Sequence, residues 1–453
     1  MESLNENFIP QRLIDVGCSS LKHMERRRFL GRSAGLATGA IGGWTAIAEQ
    51  LAISSSAKSR TDDARPKNLI FLWLQGGPSQ LETFDPHPGK KIGGSVRGIE
   101  SSLKGYQISD LLPQTAEVMH LSTLVRSMAS KEGDHERATY TMKTGWRPDP
   151  TLIHPAIGSV LCHQTESNVE IPRHISILAS QWPARGGYMG PQLDAFQVGD
   201  PNAPIANLRS PVDAARRDRR MANLQSIAEA EFRKGRLKNL DAERTQQITA
   251  TQRALKMMDS DQIEAFEIDK EPASVVKLFG DSSFGRGCLA AIRLVQQGVT
   301  CVEVELNGWD SHANNHGFHQ SQCKILDAAL YGLITELERR EMLRDTIVVC
   351  GGEFGRTPTI NVAEGRDHWP TGFSTAIFGG PFRRGFVHGE TSSEEPAAGE
   401  DPLTRITDPV SIEDLHATLL NSFGIDFSQE LQTPVGRPLA LSQGTVQKSW
   451  FQS

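Results

Sequence analysis

The stretch "NLIFLWLQGGPSQ", Asn68 to Gln80, decides how this chain is read. Its first part, "NLIFLWL" (68–74), is a continuous apolar run, the pattern of a parallel strand covered on both faces. It ends in "QGGPSQ", a turn at the strand's carboxyl end. Similar runs follow at "TCVEVEL" (300–306), "DTIVVCGG" (345–352) and "STAIFGG" (374–380). Helical patterns lie between them. "RGCLAAIRLVQQG" (286–298) closes on Gly298, and "SQCKILDAALYGLITELERREML" (321–343) is amphipathic. "SIEDLHATLLNSFGI" (411–425) opens on a Ser411 cap with Asp414 at the capping-box position and stops at Gly424. This alternation predicts an α/β fold with a mostly parallel sheet and helices on both faces. The charged segment 213–271, almost free of Pro, is expected to be a helical insertion.

The 453 residues carry a formal charge of −6, which gives no reason to expect nucleic acid as a partner. Cys18, Cys162, Cys288, Cys301, Cys323 and Cys350 are scattered without a CxxC pair, so buried free thiols are expected, not a disulfide scaffold. At the N-terminus, "ERRRFLGRSAGLATGAIGGWTAIAEQ" places Arg26-Arg27 before Phe29-Leu30 and a charge-free run from Ser33 to Ala48. That is the pattern of a bacterial twin-arginine signal, with Ala46-Ile47-Ala48 as a cleavage site. The run is too short and too rich in Gly to span a bilayer well. The expected organisation is a signal at 1–48, a polar linker at 49–67 and one domain at 68–445, exported by the twin-arginine machinery to the periplasm or cell envelope.

In an open α/β sheet, ligands bind beyond the carboxyl ends of the strands. Four motifs fall at such ends or at a helix start. "NGWDSH" offers Asp310 and His312, "CGGEFGRTP" offers Glu353 and Arg356, and "EGRDHWP" offers Asp367 and His368. "KEGDHERATYTMKTGWRP" places Asp134 and His135 at the start of a helix ending at Gly145. Each has a plainer reading: Asp134 as an N-cap, His316 and His319 as polar loop residues, Arg356 neutralising Glu353 and Asp367 in a salt-bridge network. Together, so many carboxylates and imidazoles suit a divalent ion, with zinc or manganese ahead of calcium or magnesium. One divalent ion, or two, is expected, held by Asp310, His312, Glu353 and His368, with Asp367 either a further ligand or the group that orients His368. His135 would face the ion from the helix start, and Arg356 would hold an oxyanion in bidentate fashion.

The motifs "LQGGPSQLETFDP", "TGWRP", "GWDSHANN", "GGEFGRTP", "GRDHWP" and "SIEDLHATLLNSFGI" resemble, in order and over roughly 68–440, the bacterial "domain of unknown function 1501" proteins. That family is a branch of the alkaline phosphatase–sulfatase superfamily. The resemblance implies an alkaline phosphatase-like fold and a metal-dependent hydrolase of a sulfate or phosphate ester, of a small molecule or a polysaccharide. It also implies a nucleophile at a helix start, a position that here falls on His135. Two departures stand out. The superfamily's Asp at the end of the first strand is replaced by Gln75-Gly76, and no Ser, Thr or Cys occupies the nucleophile position. A metal-activated water or a histidine nucleophile would then substitute. The alternative is a catalytically inactive envelope protein that binds an anionic glycan or a protein partner.

Overall fold

The computed structural model describes residues 65–203, 210–235, 251 and 254–452. The expected signal and most of the linker lie outside the described residues. Among the described residues, nine strands form the central sheet: Asn68–Gln75 (β1), Ser122–Ala129 (β2), His174–Ile177 (β3), Phe196–Val198 (β4), Cys301–Asn307 (β5), Thr346–Gly351 (β6), Thr371–Gly379 (β7), Phe386–His388 (β8) and Val410–Ser411 (β9). Their order is β8-β2-β7-β6-β1-β5-β3-β4, with β9 beside β2. Leu74 pairs with Leu306 and Leu72 with Cys350, so the apolar runs read from the sequence are adjacent strands with β1 in the middle.

Side chains alternate across each strand, and this sheet buries both faces. Ile70, Leu72 and Leu74 join one core, packed with Pro113–Val118 (α1), Ser283–Gln296 (α5) and Asn315–Arg339 (α6). Leu69, Phe71 and Trp73 join the other, with His135–Thr144 (α2), Ile157–Gln164 (α3) and Ile412–Ser422 (α7). Trp450, fully buried, completes that second core near Phe382. Ser411 and Asp414 form the capping box of α7, and Gly424 takes a left-handed φ of 72° beyond it. In the 213–271 segment, residues Ala214–Gly235 are helical (α4), and Arg217 holds Asp259 through both guanidinium ends at 2.6 and 2.7 Å.

The sheet is mostly parallel, and β7 is the exception. It runs antiparallel to both neighbours, β6 and β2. Returning in parallel would require a long crossover, usually a helix. Residues 352–370 contain none, so the chain turns back at the same edge. The start of β7 therefore lies where the other strands end. The helix expected from 321 begins six residues earlier, at Asn315, which places His316 and His319 on α6 and not in a loop.

Candidate metal centre

The carboxyl edge of the sheet gathers each predicted residue by a separate route. After β5, Asn307 and Gly308 turn the chain so that Asp310 and His312 lie beside the end of β1. The approach is close: Gly76 has a φ of 115°, and a Cβ there would meet Asp310 N at 2.6 Å. After β6, Glu353 and Phe354 are fully buried beneath the site. After β2, residues 130–134 lead into α2, whose Asp134 side chain accepts the Arg137 N–H as an N-cap and leaves His135 at the first turn. His368 pairs in a short antiparallel ladder with Arg356 just before β7.

These side chains converge. Ligand-capable atoms of His135, Asp310 and His368 all lie within 4.8 Å of one another. His312 Nε2 sits 3.0 Å from His368 Nε2 and 3.2 Å from Asp310 Oδ1. His135 Nε2 is 3.4 Å from Asp310 Oδ2 and has no hydrogen-bond partner although it is buried.

The other ring nitrogens decide which atoms face inward. His135 Nδ1 is 2.8 Å from Glu353 Oε1, His312 Nδ1 is 2.8 Å from Asp367 Oδ1, and His368 Nδ1 is 2.7 Å from the Gly133 carbonyl. Each of these partners can only accept, given ionised carboxylates, so each Nδ1 carries the proton and donates. In the neutral rings all three Nε2 atoms then present lone pairs toward one another and toward Asp310. Lone pairs 3.0 Å apart repel unless a cation or a proton lies between them. Asp310, Glu353 and Asp367 against Arg356 leave the neighbourhood two negative charges in excess when the rings are neutral. The donor set, His135, Asp310 and His368 with His312 in contact with the last two, each ring backed by an acceptor on its far nitrogen, is one that could hold a metal ion.

The electrostatics follow the packing. Burial disfavours a charged His135, but the hydrogen bond and charge of Glu353 and the charge of Asp310 outweigh it and raise its pKa. For His368, burial prevails, and the positive charges of Arg356 and His135 help lower the pKa against the Gly133 carbonyl and Asp310. Burial also pushes the Asp310 carboxyl upward, yet the Arg356 hydrogen bond and charge override it and hold the pKa below the ordinary value.

Measured against the sequence reading, Asp310, His312 and His368 face the centre and His135 joins them. Glu353, expected as a ligand, and Asp367, expected as a ligand or as the group orienting His368, stand one bond further out, each holding a ring N–H. Arg356, expected to grip an oxyanion, is fully buried and spends its donors internally. Its Nε bonds Gly77 O at 2.9 Å, Nη1 bonds Arg366 O at 3.1 Å, and Nη2 bonds Gly76 O and, at 2.7 Å, Asp310 Oδ1. A guanidinium locked on three carbonyls has no fork left for a substrate. Its direct ion pair is with Asp310, while Glu353 and Asp367 act on it through charge at longer range. His319 is a core residue: Nε2 accepts from Ser79 N–H at 2.8 Å, and burial pushes its pKa down to about 4. His316 is partly buried on the same helix. Sequence reasoning passed over Gly133, whose contribution is a backbone carbonyl and leaves no side-chain signal.

A mostly parallel, doubly covered sheet with carboxylates and imidazoles at its carboxyl edge defines a mixed α/β protein whose candidate site lies beyond the strand ends. Residues 66–449 match the family described as "Protein of unknown function (DUF1501)", and the chain belongs to that family. No curated protein matches it by sequence. Similar solved structures include Ps i-CgsB in complex with k-i-k-neocarrahexaose, at 10% identity and a TM-score of 0.41, covering 80% of this chain and 72% of the other. The lipoteichoic acid synthase LtaP of Listeria monocytogenes is similar at 9% identity and TM-score 0.40, over 81% and 74% of the two chains. An alkaline phosphatase superfamily protein of Vibrio parahaemolyticus is similar at 12% identity and TM-score 0.33, over 80% and 67%.

Proposed function

We propose that this chain is a metal-dependent hydrolase of a sulfate or phosphate ester, with one divalent ion, zinc or manganese, held by His135, Asp310, His312 and His368. The observation that carries the reading is the convergence of three Nε2 lone pairs on one carboxylate, each ring oriented by an acceptor behind it. An ion so held supplies Lewis-acid polarisation of the ester and a water-derived nucleophile at neutral pH.

The chain's own residues do the rest. Arg356 fixes Asp310 Oδ1, Glu353 holds the proton at His135 Nδ1, and Asp367 holds the proton at His312 Nδ1. Phe354 lies beneath the rings of His135 and His368, with centroids 5.0 and 4.5 Å away, and limits their rotation. Thr139, one turn along α2 from His135, is 1% exposed, so it is not placed to attack a substrate. Water is therefore the nucleophile in this reading, and the covalent route of the superfamily is not used. Asp310, His312 and Asp367 are 47%, 48% and 59% exposed, which leaves the centre open to the ester of a bulky molecule, a polysaccharide included.

The test is a panel of aryl and sugar sulfate and phosphate esters, assayed with protein loaded with zinc or manganese. Turnover of at least one ester is expected, with Asp310→Asn lowering kcat/KM at least 100-fold. Full metal occupancy with no turnover would instead favour a protein that binds an anionic glycan. Export through the twin-arginine route belongs to the same proposal. Changing Arg26 and Arg27 to Lys should leave the protein in the cytoplasmic fraction, and unchanged export would remove that part.

A further inference from the structure

The end of the first strand, where the resemblance led one to expect an Asp, carries Gln75. This side chain is 4% exposed and lies on a directed line of hydrogen bonds. Trp73 Nε1–H donates to Gln75 Oε1 at 2.6 Å, and Gln75 Nε2 donates to Glu353 Oε1 at 3.4 Å. The same Glu353 oxygen accepts Gly76 N–H at 2.9 Å and faces His135 Nδ1 at 2.8 Å. An indole N–H can only donate, so it fixes which end of the Gln75 amide faces it. The amide nitrogen is thereby turned toward Glu353. A flipped amide would set N–H against N–H at one end and oxygen against carboxylate at the other.

We infer that Gln75 is a positioning residue. Oriented by Trp73, it pins Glu353 Oε1 so that His135 is kept in the Nδ1–H tautomer with Nε2 free for an ion. The geometry also shows what a Glu, the carboxylate of the same length, would meet at this position. A second carboxylate within about 3.4 Å of the fully buried Glu353 would force the pair to share a proton or move apart. Three donors converge on Oε1 alone, while Oε2 is buried and unpartnered. The carboxylate is thus held at one end, and among the described residues the side chains that bond it are those of Gln75 and His135.

The inference rests on the metal-centre reading for its function, but its structural content can be read without metal. Gln75→Met keeps the length and removes the N–H; Trp73→Phe leaves Gln75 and removes the group that orients it. Two readouts apply to each: the ring-nitrogen NMR shifts of His135 in metal-free protein, and the zinc dissociation constant by chelator competition. In the wild type the shifts should report the Nδ1–H tautomer. In Gln75→Met they should move toward a mixture of tautomers, with zinc bound about 10-fold more weakly, the low end of what loss of an outer partner causes. Trp73→Phe should move both readouts the same way by less, and it carries the test if Gln75→Met does not fold. An unchanged tautomer together with zinc affinity within twofold of wild type, in whichever variant folds, overturns the inference. A wild type that binds no zinc would sink the metal centre, while the tautomer measurement would still decide the role of Gln75.

Discussion

Asp367 shows what a residue name alone conveys and what it does not. Its place beside His368 marked it as a ligand or as the group orienting His368, yet its carboxylate takes the ring proton of a different histidine, His312, 2.8 Å away, and also meets Asn361 Nδ2 at 3.4 Å. Which atom of an imidazole faces an ion depends on what stands behind the ring, and that partner comes from elsewhere in the chain. The histidines were legible because each lies within two residues of an Asp on its N-terminal side, in a segment that contains a Gly. The division between groups that touch an ion and groups that orient them was not, because Glu353, Asp367 and the Gly133 carbonyl differ in position and not in type. Asp367→Asn keeps the shape but weakens the hold on the His312 N–H. Zinc affinity should fall 10- to 100-fold with little change in thermal stability, since Asp367 is 59% exposed. Isothermal titration on the metal-free variant checks this. An affinity equal to wild type would mean that His312 is not oriented by Asp367.

At the scale of elements, apolar runs and caps located the strands and helices of the core, and the turn residues explain why. Gly298 and Gly424 take left-handed φ values of 91° and 72° just past helices α5 and α7. The direction of β7 was beyond the same reasoning, because an apolar run reads alike in either direction. What fixes it is the link from β6, which holds no helix. Strand β2 was also silent: "STLVRSMA" mixes polar and apolar residues, yet its pairing with β7 carries the chain to His135. Gly76 is where elements meet most tightly, the β1 turn lying against the Trp309–Asp310 backbone. Gly76→Ala should destabilise the fold by on the order of 2 kcal/mol, from a strained φ and the collision with Asp310 N. It should weaken zinc binding as well, because Asp310 must shift. Urea unfolding measures the first effect, and a variant as stable as wild type would show that the turn has room to relax.

Across the whole molecule, the reversal of β7 is what completes the site. Four segments reach one edge of the sheet: the turn after β5, the turn after β6, the start of β7 and the start of α2. They bring His135 and His368 together from positions 233 residues apart in the chain, with ring centroids 4.4 Å apart. The cluster has an excess of negative charge and three inward lone pairs, a combination that a bound cation relieves and that a proton shared between His312 and His368 would relieve only in part. These alternatives differ in what surrounds the ion, and X-ray absorption at the zinc edge of the zinc-loaded protein reads that directly. The account predicts one tightly bound zinc per chain with three nitrogen ligands and one carboxylate oxygen at about 2.0–2.2 Å, and loss of one nitrogen in His312→Ala. A zinc shell without imidazole, or one unchanged in His135→Ala, His312→Ala and His368→Ala alike, would contradict it.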